Sequence, residues 1–373
     1  MKSLILVTGG RGGSDFFQGL LDGHQEILLI PGVLRINKKF YEIFDSKDNL
    51  EIAKKFINFV PLIFNSKKNK LERHDKLGKN KNEFYIVDKK KFIFFFKNLS
   101  KNINYKKKDK IILIQNLFKA YYLASNRPIS QAKLIILHTH TIDLTKKLFK
   151  FFELKDCAII HTMRNPLNAI SSPVYNWLNY KKGKFFFPKD LYFQLDLAVN
   201  GLRELCMMRR KTFVVLLENL ISKKEIVMKD FCRIFNINYS KKMLNCTYFG
   251  KQWWGDSISN RWIGKKIKDN KKRQDTIENQ IFYKKDLVFF NYLFRNLLIK
   301  YFDFKTLKNK DLNFFYKLLP LKSELMVWKN VILHKKIKHL LTIPFFYIKR
   351  ILFLNYSFII NKKFNYPYSI GSK

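Results

Sequence analysis

Apolar residues in this chain gather into short runs set apart by glycine-, lysine- or asparagine-rich segments. The runs at about 3–8, 27–30, 133–138, 157–162 and 212–217 are nearly continuous and rich in Leu, Ile and Val, as expected of strands buried on both faces. Between them apolar positions fall at helical spacing, in 16–21 and in the amphipathic stretch 223–235. Strands alternating with helices predict an α/β fold, a central parallel sheet flanked by helices. Residues 38–126 interrupt the alternation. Apolar runs at 56–64 and 92–96, separated by lysine-rich loops, predict a mostly helical insertion there.

The first run leads into Val7-Thr8-Gly9-Gly10-Arg11-Gly12-Gly13-Ser14-Asp15-Phe16, which reads as a strand end, a glycine-rich loop and a helix start. The four glycines allow a tight turn that aims several N–H groups at one point. The helix N-terminus adds partial positive charge, so the loop suits a phosphate or sulfate. Arg11 contributes a cation and Ser14 a hydroxyl. A Walker A loop would need Lys followed by Ser or Thr after its last glycine, and that Lys is missing. A dinucleotide loop would need a third glycine where Asp15 stands. A glycine-rich turn that binds nothing is the plain alternative.

A second segment, 161–172, follows another strand-like run, with Arg164 at the strand end and Ser172 inside the next helix. Guanidinium grips phosphate oxygens in a bidentate fork, and a hydroxyl on the neighbouring helix adds a donor. An ordinary ion pair at a strand end is the alternative for Arg164. In parallel sheets ligands bind beyond the carboxyl ends of the strands, where Arg11, His138, His140 and Arg164 all fall.

These segments resemble the nucleotide motifs of sulfotransferases that use 3′-phosphoadenosine 5′-phosphosulfate (PAPS). Arg11-Gly12-Gly13-Ser14 matches their first loop, and Arg164 with Ser172 matches the pair that holds the 3′-phosphate. A softer likeness follows at Glu218 and Leu220, with Leu217 and Asn219 where Tyr and Asp are usual. The resemblance covers about residues 1–265. It implies a P-loop-like α/β sulfotransferase moving a sulfuryl group from PAPS to an acceptor hydroxyl, less readily to an amine, without a metal. The nucleotide would be held by Gly10, Arg11, Gly12, Gly13, Ser14, Asp15, Phe16, Arg164 and Ser172, with Arg11 stabilising charge on the leaving phosphate.

The run at 133–138 ends in His138-Thr139-His140, similar to a strand ending in Lys-Thr-His in cytosolic members of that family. By that resemblance His140 is the base and His138 stands where Lys is frequent. Two His at i and i+2 share a strand face, but no third ligand has the spacing that a metal site requires. Asp15, Asp143 and Glu218 are fallback bases. The tryptophans Trp253, Trp254 and Trp262 could stack on a sugar or on adenine, or be core. Arg261 or Lys265 could touch the 3′-phosphate. Insertions such as 38–126 build the acceptor pocket in this family.

With 373 residues, 47% of them hydrophobic, the chain can bury one large α/β core and carry an extension. Its net charge of +43 would attract any polyanion. The lysines are spread along the chain, as at 67–70 and 106–110, rather than gathered in one patch, which argues against a nucleic-acid partner. Cysteines 157, 206, 232 and 246 lack Cys-x-x-Cys spacing, so reduced thiols are expected rather than zinc ligands or disulfides. The first strand begins almost at once, leaving no room for a signal peptide before the loop, so a cytoplasmic enzyme is expected; the resemblance implies a bacterial one, because animal Golgi sulfotransferases normally begin with a membrane anchor.

After a charged run at 265–273, residues 266–373 read as a basic, aromatic-rich helical extension. Within it 340–360 is apolar but broken by Pro344, Lys349 and Arg350, short of the ~18 residues of a membrane span. Its mix of aromatic and basic residues predicts either peripheral contact with an anionic membrane or packing back on the domain. That extension points to a carbohydrate or lipid-linked glycan as acceptor. A nucleotide kinase or other nucleoside triphosphatase is the competing enzyme, disfavoured by the missing Walker Lys and carboxylate. A non-enzymatic basic protein docking on anionic polymer or lipid would explain the charge but not the anion motifs.

Overall fold

The structure, a computed structural model, describes residues 1–8, 12–105, 109–154, 157–180, 187–207, 211–255, 277–302, 318–334, 336–360 and 367–372. Five strands lie where the apolar runs predict them: β1 (Lys2–Thr8), β2 (Ile27–Leu29), β3 (Leu134–Thr139), β4 (Ala158–Met163) and β5 (Thr212–Leu216). A hairpin of β6 (Thr247–Tyr248) and β7 (Lys251–Gln252) stands apart from them. The two-residue strand β8 (Tyr368–Ser369) completes a sheet of order β2-β3-β1-β4-β5-β8. Every pairing within that sheet is parallel. Leu4, Ile5, Leu6 and Val7 of the central strand are wholly buried, which is why β1 shows no polar alternation.

Helices cover both faces. After β1 comes α1 (Ser14–Leu21). The insertion holds α2 (Lys38–Glu42), α3 (Asn49–Phe59), α4 (Pro61–Phe64), α5 (Lys89–Ser100) and α6 (Lys110–Ala124). Its core is aromatic, with Phe64 meeting Phe92 at 5.0 Å and Tyr121 at 5.6 Å between ring centroids. The Tyr122 hydroxyl donates to the Ile27 carbonyl and accepts from the Leu29 N–H, both at 3.1 Å. The insertion thereby satisfies the outer edge of β2, which no further strand among the described residues pairs.

Next come α7 (Ile142–Phe152), α8 (Pro166–Tyr180), α9 (Pro188–Met207), α10 (Leu217–Ser222) and α11 (Lys224–Phe235). One face of the sheet receives α1 and α11, whose Phe17 and Phe231 meet edge-on at 5.5 Å. The other receives α7, tied by the Thr139–Thr145 hydroxyl pair at 3.2 Å.

The later helices are α12 (Lys284–Leu293), α13 (Arg295–Phe302), α14 (Lys322–Leu333), α15 (Ile337–Leu340) and α16 (Thr342–Ile360). They join α8 and α9 in a second apolar cluster that includes Ile170, Val174, Leu195, Phe290, Val327 and Phe353. Pro344, Lys349 and Arg350 interrupt the apolar run at 340–360, as the sequence reads, without breaking the helix. Pro344 is the third residue of α16, where a helix needs no N–H acceptor. Arg350 is buried in a two-point bond to Glu324 at 3.0 and 2.9 Å, so its charge does not interrupt the helix. The charged run at 265–273 lies outside the described residues.

Candidate anion site at the carboxyl edge of the sheet

With β3 and β4 on either side of β1, the three strand ends that carry the sequence motifs lie together. Val7 pairs with Thr139, and Thr8 pairs with Thr162. Gly10 and Arg11 lie outside the described residues. The loop resumes at Gly12, whose N–H donates to the Thr8 hydroxyl at 3.3 Å. A Cβ on Gly12 would stand 2.3 Å from the Thr162 carbonyl oxygen. One on Gly13, at φ +86°, would stand 2.6 Å from the Leu217 side chain. The turn is therefore pressed between β4 and the start of α10 with no room for a side chain, and Gly13 also needs the left-handed backbone.

Ser14 opens α1 and is buried. The cap residue, Gly13, offers no side-chain acceptor to the first-turn N–H groups, so the positive end of the helix is turned to the loop without internal compensation at the cap. Asp15 brings a carboxylate to this turn. Its backbone carbonyl accepts from the Tyr248 hydroxyl at 2.8 Å. Phe16 is half-buried, with the Lys224 ammonium 5.8 Å from its ring.

Arg164 follows β4 directly and is only 4% exposed. Asn165 caps α8 by accepting from the Leu167 N–H, while its own N–H donates to the Glu218 carboxylate, both at 3.0 Å. Glu218, a fallback base in the sequence, thus holds the turn that carries Arg164. With Leu217 against Gly13, the third segment links the first two motifs. On α8, Ser171 and Ser172 are both buried. The Ser171 hydroxyl finds no hydrogen-bond partner among the described residues.

At the end of β3 the His138 and His140 rings lie 6.1 Å apart. His138 is buried with its Nδ1 3.9 Å from the Asp15 carboxylate. Burial, followed by the nearby His140, holds its pKa down to about 3, so it is neutral. His140 is exposed at the mouth. Its pKa is also lowered, first by the protein packed around the ring and then by the Arg35 guanidinium.

Arg35 and Glu72 carry charge to this mouth without any motif to announce them. The Leu34 N–H donates to the His138 carbonyl at 2.9 Å, which sets the next residue, Arg35, beside the strand end. The Gln18 side chain clamps the preceding turn. It accepts from the Gly32 N–H at 2.9 Å and donates to the carbonyls of Gly32 and Ile30 at 3.2 and 2.8 Å. The Glu72 carboxylate, from the insertion, reaches 3.1 Å from the position a Cβ on Gly32 would take.

Of the other sequence candidates, Trp253 is core, with its indole N–H donating to the Glu72 carbonyl at 2.8 Å. The Trp254 indole donates to the Gly78 carbonyl at 2.7 Å. Asp143 pairs with Lys147 at 2.9 Å on an exposed helix surface. Trp262, Arg261 and Lys265 lie outside the described residues.

No family model matches the chain, and no curated protein matches it. Among solved structures it is similar to the sulfotransferase domain of the Synechococcus PCC 7002 olefin synthase. The identity is 14%, over 72% of this chain and 82% of that domain, with a TM-score of 0.34. It is also similar to the sulfotransferase domain of the curacin biosynthetic pathway, at 13% identity over 75% and 97% of the two chains with a TM-score of 0.38. TM-scores this low carry no argument about function, and the α/β architecture rests on the six-stranded parallel sheet itself.

Proposed function

We propose that the chain is a sulfotransferase that takes its sulfuryl group from PAPS and passes it to an acceptor hydroxyl, with a carbohydrate or lipid-linked glycan as the acceptor class. The observation that carries the reading is the Gly12-Gly13-Ser14 turn. Its two glycines are wedged too tightly for side chains and it opens an uncapped helix, beside a buried arginine just past the end of the neighbouring strand. The backbone N–H groups of the turn and the Ser14 hydroxyl suit the 5′-phosphate. Arg164, with the hydroxyls of Ser171 and Ser172, suits the 3′-phosphate. Arg11 has its role from the sequence resemblance.

In the reaction the acceptor oxygen attacks sulfur while the bond from sulfur to the phosphate oxygen breaks. The bonding pair leaves on that oxygen, and the acceptor proton passes to a base. His140 fits the base, being neutral, reachable and at the strand end. Most of the rate gain would come from placement and from donors aimed at the leaving oxygen.

Calorimetric titration with 3′-phosphoadenosine 5′-phosphate, ATP and 5′-AMP tests the reading. The wild type is expected to prefer the 3′-phosphorylated nucleotide, and Arg164→Ala to weaken it at least ~100-fold, the scale of a lost charge-assisted contact. Preference for ATP would overturn the assignment.

The pH profile tests the base. Protonation of His140 removes the acceptor lone pair, so turnover should fall on the acid side. The midpoint should lie below the ordinary imidazole value of 6.5, because the folded environment lowers its pKa. Arg35→Gln should move that midpoint upward. A profile unchanged by both Arg35→Gln and His140→Ala would transfer the role to a carboxylate, Asp15 beside His138 or Glu72 beside Gly32.

A further inference from the structure

The outward surface of α16 carries large apolar side chains that no packing among the described residues uses. Leu341, just before the helix, is 79% exposed, and Phe345, Ile348 and Leu352 are 59%, 56% and 63% exposed. Spacings of four, three and four residues confine them to ~60° of helical arc. Ile337 and Leu333 precede them in the same stretch at 71% and 67%. The opposite side of α16 is already spent on the interior, with Arg350 and Phe353 buried in the helical layer. Core packing therefore gives no reason for the outer stripe.

Along the segment that carries the stripe the exposed charge is positive. Between 318 and 360 the sequence holds a single acidic residue, Glu324, and it is buried against Arg350. Lys336, Lys338 and Lys349 are exposed, with the Lys349 ammonium 5.8 Å from the Phe345 ring. A second copy of this face would set lysine against lysine. A soluble polyanion would answer the charge but offer the stripe no apolar phase.

We infer that this face docks on the surface of an anionic lipid bilayer. The helix α16 lies in the interface plane, with Leu341, Phe345, Ile348 and Leu352 among the acyl chains and the lysines at the headgroups. None of the described helices is long and apolar enough to cross a membrane, so the contact is peripheral. The inference is independent of the reaction assigned to the sheet edge.

Co-sedimentation of the full chain with phosphatidylcholine vesicles, with and without phosphatidylserine, tests it. Strong partition is expected only with phosphatidylserine, and high salt should weaken it. Because the chain is basic throughout, the deciding variant is Phe345→Ser with Leu352→Ser, which keeps every charge. Its partition should fall at least ~tenfold, while denaturant unfolding and nucleotide titration stay at wild-type values. Lys336→Gln, Lys338→Gln and Lys349→Gln together should weaken binding to anionic vesicles alone. Wild-type partition by the double serine variant would reduce the effect to overall charge and overturn the inference. So would a lipid-free dimer that the serine variant converts to monomer, which would give the face to a second copy.

Discussion

Gly12→Ala is expected to abolish nucleotide binding and to lower folding stability by about 3 kcal/mol, the upper range for overpacking a filled site. The new methyl would stand 2.3 Å from the Thr162 carbonyl oxygen. That atom is backbone in a strand paired on both sides, with β1 and with β5, so it cannot yield as a side chain end would. Relief must come from the loop, and a shift of ~1 Å there is enough to misplace its N–H groups. Titration with 3′-phosphoadenosine 5′-phosphate and denaturant unfolding would read the two effects. Gly250→Ala is the control. Its backbone has φ +72° but its Cβ would meet nothing within 4 Å, so it should cost only ~1 kcal/mol and leave the nucleotide affinity intact. Equal losses in the two variants would mean that the turn is not the wedged element described above.

Acid should destabilise the fold well above the range where carboxylates titrate. His74, His138 and His161 are each buried, with burial the first cause holding their pKa values to about 3, 3 and 4. Unfolded imidazoles titrate at about 6.5. As pH falls below that value the unfolded chain binds protons that the folded chain refuses. The stability contributed by neutral burial is thus complete above pH 6.5 and lost progressively on the way to the folded pKa values. At pH 5 the cost is about 2 kcal/mol for each ring and about 6 kcal/mol for the three, comparable with the whole stability of many domains. Denaturant unfolding at pH 7 and pH 5 measures it, and His161→Gln should remove about one third of the difference. Equal stability at the two pH values would show that the rings do not stay neutral in the folded chain.

The candidate site was legible wherever chemistry and periodicity coincide in one segment. The loop at 9–14 and the segment 161–172 each follow an uninterrupted apolar run, so their place at strand ends could be read without coordinates. Glu72 and Arg35 were not legible. Glu72 is separated from Gly32 by α2, α3 and α4, and only the packing of the insertion returns it to the sheet edge. Arg35 depends on the hydrogen bond from Leu34 to His138. Glu218 was read as a soft match and a fallback base, yet its contact is with the Asn165 backbone, a partner that periodicity does not reveal. Trp253 and Trp254 were open between ligand and core. Their indole hydrogen bonds to Glu72 and Gly78 tie them to the insertion.

By itself the chain of residues determined the five main strands, the parallel α/β class, the helical insertion and the two segments suited to anions. Each follows from local pattern, because a strand buried on both faces must be apolar throughout and an anion loop needs glycine before a helix start. Only the tertiary structure decided the rest. It put β1 between β3 and β4, recruited Tyr368 and Ser369 as an edge strand, and carried α16 past Pro344 without a break. It also left Leu341, Phe345, Ile348 and Leu352 facing outward. The physical reason is that these outcomes depend on which distant surfaces bury one another, and two residues of a strand or one face of an all-apolar helix carry too little local preference to declare it.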